Sequence, residues 1–120
     1  MGKIELKDLV FYAQHGHFEM ENQIGGCFRV QVKLKVDCAK AGETDNLDDA
    51  LNYQLAYDVV KKEMSIKSAL LENVCKRILD ELLALPKVQR AWVKVEKMNP
   101  PMGGEMTSVS VQMKRRRKEK

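Results

Sequence analysis

The sequence predicts a single α+β domain, in which an antiparallel sheet of four strands carries two helices on one face. Four segments have apolar residues at every second position, two in the first part of the chain and two in the last part. Between them, apolar residues recur at spacings of three and four, which is typical of amphipathic helices. A chain of 120 residues is long enough to bury one core. We therefore expect the order strand, strand, helix, helix, strand, strand.

The first two strands are predicted from alternation. Ile4 and Leu6 alternate, the phase slips at Lys7-Asp8, and Leu9 and Phe11 resume it, which predicts a strand with a bulge. The second strand has the clearest pattern, with polar residues between apolar residues at positions 28, 30, 32, 34 and 36. The segment between them ends in a glycine pair, so we expect a long hairpin loop.

The central region is predicted to hold the helices. A polar connection through Gly42 leads to a short helical turn over 47–51, and Asn52 is placed to cap a helix that starts at Tyr53. Ser68 is the predicted cap of a second helix. That helix has an apolar stripe and ends before Pro86.

The third strand ends in a candidate catalytic residue. Ala91, Val93, Val95 and Lys97 lie two apart and share one face, so Lys97 ends an apolar row. Prolines at positions 100 and 101 stop the strand directly afterwards. An ammonium group against an apolar face is poorly solvated, which favours its neutral form and makes Lys97 a candidate proton carrier. The alternative is that its flexible stem takes the amine to water.

The net charge of +4 is concentrated at one end of the chain. Six positive charges and one negative charge lie within 114–120, so the remainder is close to neutral. We predict a domain over 1–113 and a disordered basic tail over 114–120. A short terminal run of cations beside a nearly neutral domain is more typical of a solvated chain end than of a nucleic-acid binding site. No apolar run is long enough to span a membrane and no secretory signal is evident, so we expect a cytoplasmic protein.

No metal site or disulfide framework is predicted. His15 and His17 are the only histidines, and a third metal ligand is not evident beside them. The three cysteines are far apart and include no C-x-x-C pair.

Six short motifs follow one another along the chain: Phe11-Tyr12-Ala13-Gln14-His15-Gly16, Glu21-Asn22-Gln23-Ile24-Gly25, Thr44-Asp45-Asn46, Asn52-Tyr53, Leu70-Leu71-Glu72 and Lys97-Met98-Asn99-Pro100-Pro101. Their order and spacing resemble those of the dihydroneopterin aldolase family, and the resemblance covers nearly the whole chain. The resemblance implies the tunnelling fold, in which sheets of several subunits join into a barrel. It also implies a tetramer or octamer with active sites between subunits.

The resemblance further implies the site residues. Glu72, with Leu71 beside it, would hold the pterin ring, and a carboxylate suits this role because it accepts two parallel hydrogen bonds. Lys97 would move protons during retro-aldol cleavage of 7,8-dihydroneopterin, with Tyr53 as relay or donor. Glu21 would contact the polyol side chain. No metal or cofactor is implied, since the ring imine of the substrate accepts the electrons.

Two alternatives remain open from the sequence. An epimerase of the same fold, acting on dihydroneopterin or its triphosphate, could use the same residues. A small oligomeric binding module could instead use the basic tail to engage RNA or another anionic surface.

Overall fold

The computed structural model describes residues 1–16, 26–100 and 102–117. Four antiparallel strands lie side by side in chain order: β1 (Gly2–Ala13), β2 (Gly26–Val36), β3 (Val88–Met98) and β4 (Ser108–Arg116). All four predicted strands are present. β1 and β4 form the two edges of this sheet.

The predicted bulge in β1 is confirmed. The pairing with β2 shifts between Leu6 and Leu9, and Asp8 has a positive φ of 56°. The Asp8 N–H donates to Oε1 of Gln31 over 2.8 Å, and Nε2 of Gln31 donates to Oδ1 of Asp8 over 2.6 Å. The bulge restores the phase, so that the apolar residues on both sides of it face the same way.

Three α-helices follow β2, namely α1 (Ala39–Thr44), α2 (Tyr53–Met64) and α3 (Leu71–Ala84), with a 3-10 turn at Leu47–Asp49 between the first two. The cap of α2 is as predicted, since the Asn52 side chain accepts a hydrogen bond from the Gln54 N–H over 3.0 Å. α1 was not predicted. It buries no residue, so it leaves no apolar periodicity in the sequence.

The predicted cap of α3 is wrong. Leu70 occupies the N-cap position and makes no side-chain capping bond. Ser68 lies two residues earlier, where its hydroxyl donates to Oδ1 of Asn73 and accepts from Arg77. Its hydroxyl is therefore occupied by a tertiary contact rather than by the backbone of the helix.

The helices cover one face of the sheet, as expected. The alternating residues of β2, from Phe28 to Val36, are almost fully buried there, together with Val60 of α2 and Ile78 of α3. The opposite face carries mainly polar and charged side chains, such as the exposed Lys33 and Lys35. Within the described ranges, no helix has the length and apolar character needed to cross a bilayer.

The prediction of a disordered tail from residue 114 onward is wrong for 114–117. β4 continues to Arg116, which pairs with Arg90. The Arg117 N–H donates to the Gln89 carbonyl over 2.8 Å, and its guanidinium donates to the Leu85 carbonyl over 2.6 Å. The strand was missed because its last residues are all cations and show no apolar alternation. Residues 118–120 lie outside the described part of the chain.

Candidate active site

Lys97 lies at the end of the apolar row of β3, as predicted. It is paired between Phe28 of β2 and Val109 of β4, on the face that the helices cover. Only 9% of its surface is exposed. The strand ends one residue later, and Asn99 turns the chain with a φ of 48°. The lysine is therefore held against the core at the carboxyl end of a strand.

The first turn of α3 carries Glu72 to the same end of the sheet as Lys97. Further along the helix, Asp80 pairs with Arg115 near the end of β4, and Sγ of Cys75 lies 3.5 Å from the Val111 carbonyl. The helix thus runs parallel to β4, and its start points toward the rung that Val109 shares with Lys97. Glu72 is exposed there.

Tyr53 lies at the opposite end of the sheet within the same chain. It is the first residue of α2, whereas Met64, at the other end of that helix, contacts His15. The helical rise separates Tyr53 and Met64 by about 16 Å. The segment just before α2 lies beside the start of β3, because Nζ of Lys87 donates to the Asp48 carbonyl over 3.1 Å.

One chain therefore brings together only part of the predicted site. Leu71 is half-buried against the core next to Glu72, and both lie at the Lys97 end of the sheet. Tyr53 is 65% exposed at the far end. Glu21 lies outside the described residues.

Two cavities open at the Lys97 end of the described structure. One of about 560 Å³ lies between the end of β1 and the end of α2, where Gln14 and Met64 line it. The other, of about 610 Å³, lies beyond β3 and is lined by residues including Asn99 and Glu105. Neither is lined by Lys97 or Glu72, so these two cavities do not unite the two residues.

A buried histidine next to this end was not given a structural role by the sequence reasoning. His15 is 1% exposed. Its Nδ1 accepts a hydrogen bond from the Ser68 N–H over 3.2 Å, which leaves Nε2 to donate to the Met64 carbonyl at 3.0 Å. Its ring also packs edge-on against Phe28, with centroids 5.3 Å apart. His15 thereby fixes the connection between α2 and α3 to the end of β1.

The electrostatic surroundings of His15 favour its neutral form. Burial lowers the pKa of the imidazole below its ordinary value, and the positive charges of Arg77 and Lys97 act in the same direction, although the bond to the Met64 carbonyl opposes them. Both ring nitrogens are used for backbone hydrogen bonds. Within the described ranges, no group of three possible metal ligands is present.

Arg77 is the second organiser of this connection. Its Nη1 donates to the carboxylate of Glu63 over 2.8 Å and to the Glu63 carbonyl over 3.0 Å. Its Nη2 donates to the Ile66 carbonyl and to the Ser68 hydroxyl, and its Nε donates to Asn73. One guanidinium thus joins the end of α2, the connection and the first turns of α3, on which Glu72 lies.

The chain is similar in sequence to enzymes of one family. The FolB dihydroneopterin aldolase family matches residues 4–114. The dihydroneopterin aldolase of Bacillus subtilis is 34% identical over 119 residues, which is 98% of this chain and 99% of the relative. The dihydroneopterin aldolase of Streptococcus pyogenes serotype M1 is 32% identical over 98% of this chain and 100% of the relative.

Solved structures show the same fold. The Escherichia coli dihydroneopterin aldolase in complex with neopterin superposes with a TM-score of 0.88 at 22% identity, covering 96% of this chain and 99% of that one. The dihydroneopterin aldolase of Burkholderia thailendensis bound to guanine gives a TM-score of 0.80 at 22% identity, covering 98% and 92%. The arrangement of four strands and two packed helices is therefore shared with these structures.

Proposed function

The chain belongs to the dihydroneopterin aldolase family, and we propose that Lys97, Tyr53, Glu21, Leu71 and Glu72 carry out its reaction in a site shared between two subunits. The protein is an aldehyde-lyase of folate biosynthesis with the tunnelling fold. The residue roles and the assembly are the proposed part. The observation that carries them is the burial of Lys97 at the end of the sheet where Glu72 opens α3.

The reaction is the cleavage of one carbon–carbon bond in the side chain of 7,8-dihydroneopterin. A base removes the proton of a side-chain hydroxyl, the bond breaks, and glycolaldehyde leaves. The ring imine accepts the released electron pair, and an acid then returns a proton to the carbon left on the pterin, which gives 6-hydroxymethyl-7,8-dihydropterin. The substrate supplies its own electron acceptor, so the protein has to bind the ring and to move protons.

Lys97 is suited to the proton transfers. Its side chain is almost entirely removed from bulk water, and an active site that limits access of water reduces competition for a transferred proton. It lies on an extended strand paired on both sides, so its backbone position is fixed. A rigid support of this kind keeps a catalytic group within reach of the reacting atoms.

Glu72 and Leu71 are suited to hold the ring. The exposed carboxylate of Glu72 can accept two parallel hydrogen bonds from the amino and ring N–H groups of a pterin. Leu71 presents an apolar surface beside it for the flat ring. The neopterin and guanine found in the two relatives share this edge of adjacent N–H donors, which supports the anchor role.

Tyr53 is proposed to act in the site of a neighbouring chain. It lies at the opposite end of its own sheet from Lys97 and is largely exposed, so it is placed to reach outward rather than inward. The sheet also has two open edges, through which sheets of adjacent subunits could join into a barrel. We propose that this assembly is a tetramer or octamer, and that Glu21 also contacts the polyol.

The experiment that tests the function is incubation with 7,8-dihydroneopterin in the presence of a chelator, with products separated by chromatography. Release of glycolaldehyde and 6-hydroxymethyl-7,8-dihydropterin is expected at an undiminished rate. Formation of an isomerised polyol alone would indicate an epimerase. Loss of cleavage on chelation, with recovery on addition of metal, would contradict the metal-free mechanism.

A further inference from the structure

Four cations form a continuous row across the face of the sheet that the helices leave uncovered. Lys3 pairs with Lys35, Lys35 with Arg90, and Arg90 with Arg116, so each strand contributes one residue to the same rung. On the first three strands the next residue toward the middle of the sheet, Ile4, Leu34 or Ala91, packs in or against the core. All four cations are exposed. We refer to these four residues as the basic row.

The basic row conflicts with the usual pairing rule for sheets, because like charges directly opposite each other are destabilising. Adjacent strands lie about 4.8 Å apart, so four positive charges are confined to a line of about 14 Å. None of the four forms an ion pair with a carboxylate in the part of the chain that the structure describes. The repulsion is therefore left uncompensated by these residues.

The other end of the same face follows the ordinary rule. Arg29 lies 3.3 Å from a carboxylate oxygen of Glu96 and 3.7 Å from one of Asp8, and Nζ of Lys94 lies 4.0 Å from Glu96. Each cation there has an anion beside it. The concentration of unpaired charge is thus a property of one end of the face, rather than of the whole surface.

The basic row lines a cavity of about 720 Å³ together with the next rung. That rung adds Lys33 and Lys114 on the two sides of Trp92. Nζ of Lys33 lies 4.5 Å above the centre of the indole ring, and the indole N–H donates to Gln112 over 3.0 Å. The tryptophan is therefore held by its neighbours, and the cavity has a fixed apolar wall beside its cations.

We propose that the basic row binds a short linear chain of phosphates, either free or as the phosphate tail of a nucleotide. Such a ligand carries several negative charges along a line, and it would neutralise successive cations of the row. Each of the two arginines can donate two parallel hydrogen bonds to one phosphate, whereas the lysines act as point charges. Binding would offset the repulsion among the four cations.

The site is separate from the proposed active site. Arg90 precedes Lys97 by seven residues on β3, which places them about 23 Å apart along an extended strand. They also lie on opposite faces of the sheet. The inference therefore does not depend on the roles assigned to Lys97 and Glu72.

A phosphate chain fits this surface better than a nucleic-acid strand. Proteins that bind single strands without sequence preference stack successive bases on exposed aromatic rings. Trp92 is the only aromatic residue among those that line this cavity, and Lys33 covers one face of its ring. The surface offers charge without a stacking platform.

The test is calorimetric titration of the full chain with sodium tripolyphosphate, ATP and orthophosphate at several salt concentrations. We compare the parent with the double variant Lys35→Gln/Arg90→Gln. The matched control is Lys61→Gln/Lys62→Gln, which removes two exposed charges from α2. Melting temperature and turnover of dihydroneopterin are measured for each, because relief of repulsion should leave the row variant at least as stable as the parent.

We expect tripolyphosphate to bind the parent and the control equally, to bind the row variant at least tenfold more weakly, and to lose affinity as salt rises. If ATP and tripolyphosphate bind with equal affinity, the row recognises the phosphate chain alone. If ATP binds more tightly than tripolyphosphate, the ligand is the phosphate tail of a nucleotide. The proposal is overturned if neither tripolyphosphate nor ATP binds the parent, or if the control variant loses as much affinity as the row variant. It is also overturned if a single-stranded oligonucleotide, titrated in the same way, binds more tightly than both tripolyphosphate and ATP.

Discussion

Replacing Arg77 by Met should destabilise the protein by about 3–5 kcal/mol, the range for removing one partner of a buried ion pair. The side chain of Glu63 is 7% exposed and that of Arg77 is 22% exposed, with 2.8 Å between their charged groups. The substitution leaves the Glu63 carboxylate buried without its cation. It also removes the donors to Ile66 and Ser68.

The size of this effect can be measured by urea unfolding at one fixed protein concentration, since association would change the apparent stability. Glu63→Met alone should cost less, because Arg77 keeps its other acceptors and part of its contact with water. The double variant Arg77→Met/Glu63→Met should be more stable than the sum of the single effects predicts, by at least about 1 kcal/mol.

Arg77 should also affect pterin binding, because it ties the first turns of α3 to the preceding connection. Under conditions where Arg77→Met remains folded, we expect weaker binding of a pterin analogue, while Lys76→Met should bind like the parent. Lys76 neighbours Arg77 but is exposed and pairs only with Asp80 among the described residues. The reasoning is refuted if Arg77→Met lowers the free energy of unfolding by less than about 1 kcal/mol. It is also refuted if the effects of Arg77→Met and Glu63→Met on that free energy are additive in the double variant.

Four further substitutions have separate expected outcomes. Lys97→Ala should lower kcat at least a hundredfold while pterin affinity stays within a fewfold of the parent, and turnover at the parent rate would contradict its catalytic role. Glu72→Ala should weaken pterin affinity at least tenfold, and affinity equal to that of the parent would contradict its role in holding the ring. The lowered pKa of His15 means that the unfolded chain takes up a proton below pH 6.5 that the folded one resists. Stability should therefore fall as the pH drops below that value, and His15→Gln should reduce this dependence in urea unfolding. Burial raises the pKa of Cys75 to about 11, so a thiol reagent at pH 8 should label the exposed Cys38 but reach Cys75 only after unfolding; Cys75→Ser should leave native labelling unchanged.

Local patterns were sufficient to predict the sheet and the position of Lys97. Alternation over β2 fixes which side chains enter the core, and the same period on β3 followed by two prolines places Lys97 at a strand end. The cap at Asn52 was predictable for a similar reason, since a capping residue acts on the N–H groups that directly follow it.

Features that depend on distant partners could not be predicted in this way. Ser68 has the composition of a helix cap, but Arg77 engages its hydroxyl from nine residues away. His15 is fixed by a carbonyl 49 residues along the chain. The final rungs of β4 are held by pairing with β3, including Arg90, although their own side chains show no apolar period. Tertiary contacts overrode local signals in each case.

The separation of Tyr53 from Lys97 also emerges only in three dimensions. Each residue lies in a short motif that carries no information about the other end of the sheet. The length of α2 and the contact of Lys87 with Asp48 place them apart. This separation underlies the proposal that a complete site needs two chains.

The most direct test of that proposal is complementation between Lys97→Ala and Tyr53→Phe, each of which we expect to have little activity alone. The variants are unfolded together, refolded together and assayed with 7,8-dihydroneopterin, beside each variant refolded alone. In mixed assemblies about a quarter of the sites would pair an intact Lys97 with an intact Tyr53 from the neighbour, so we predict recovery of roughly that fraction of parent activity. Activity that stays at the level of the separate variants, in assemblies shown to contain both chains, would contradict a site shared between subunits.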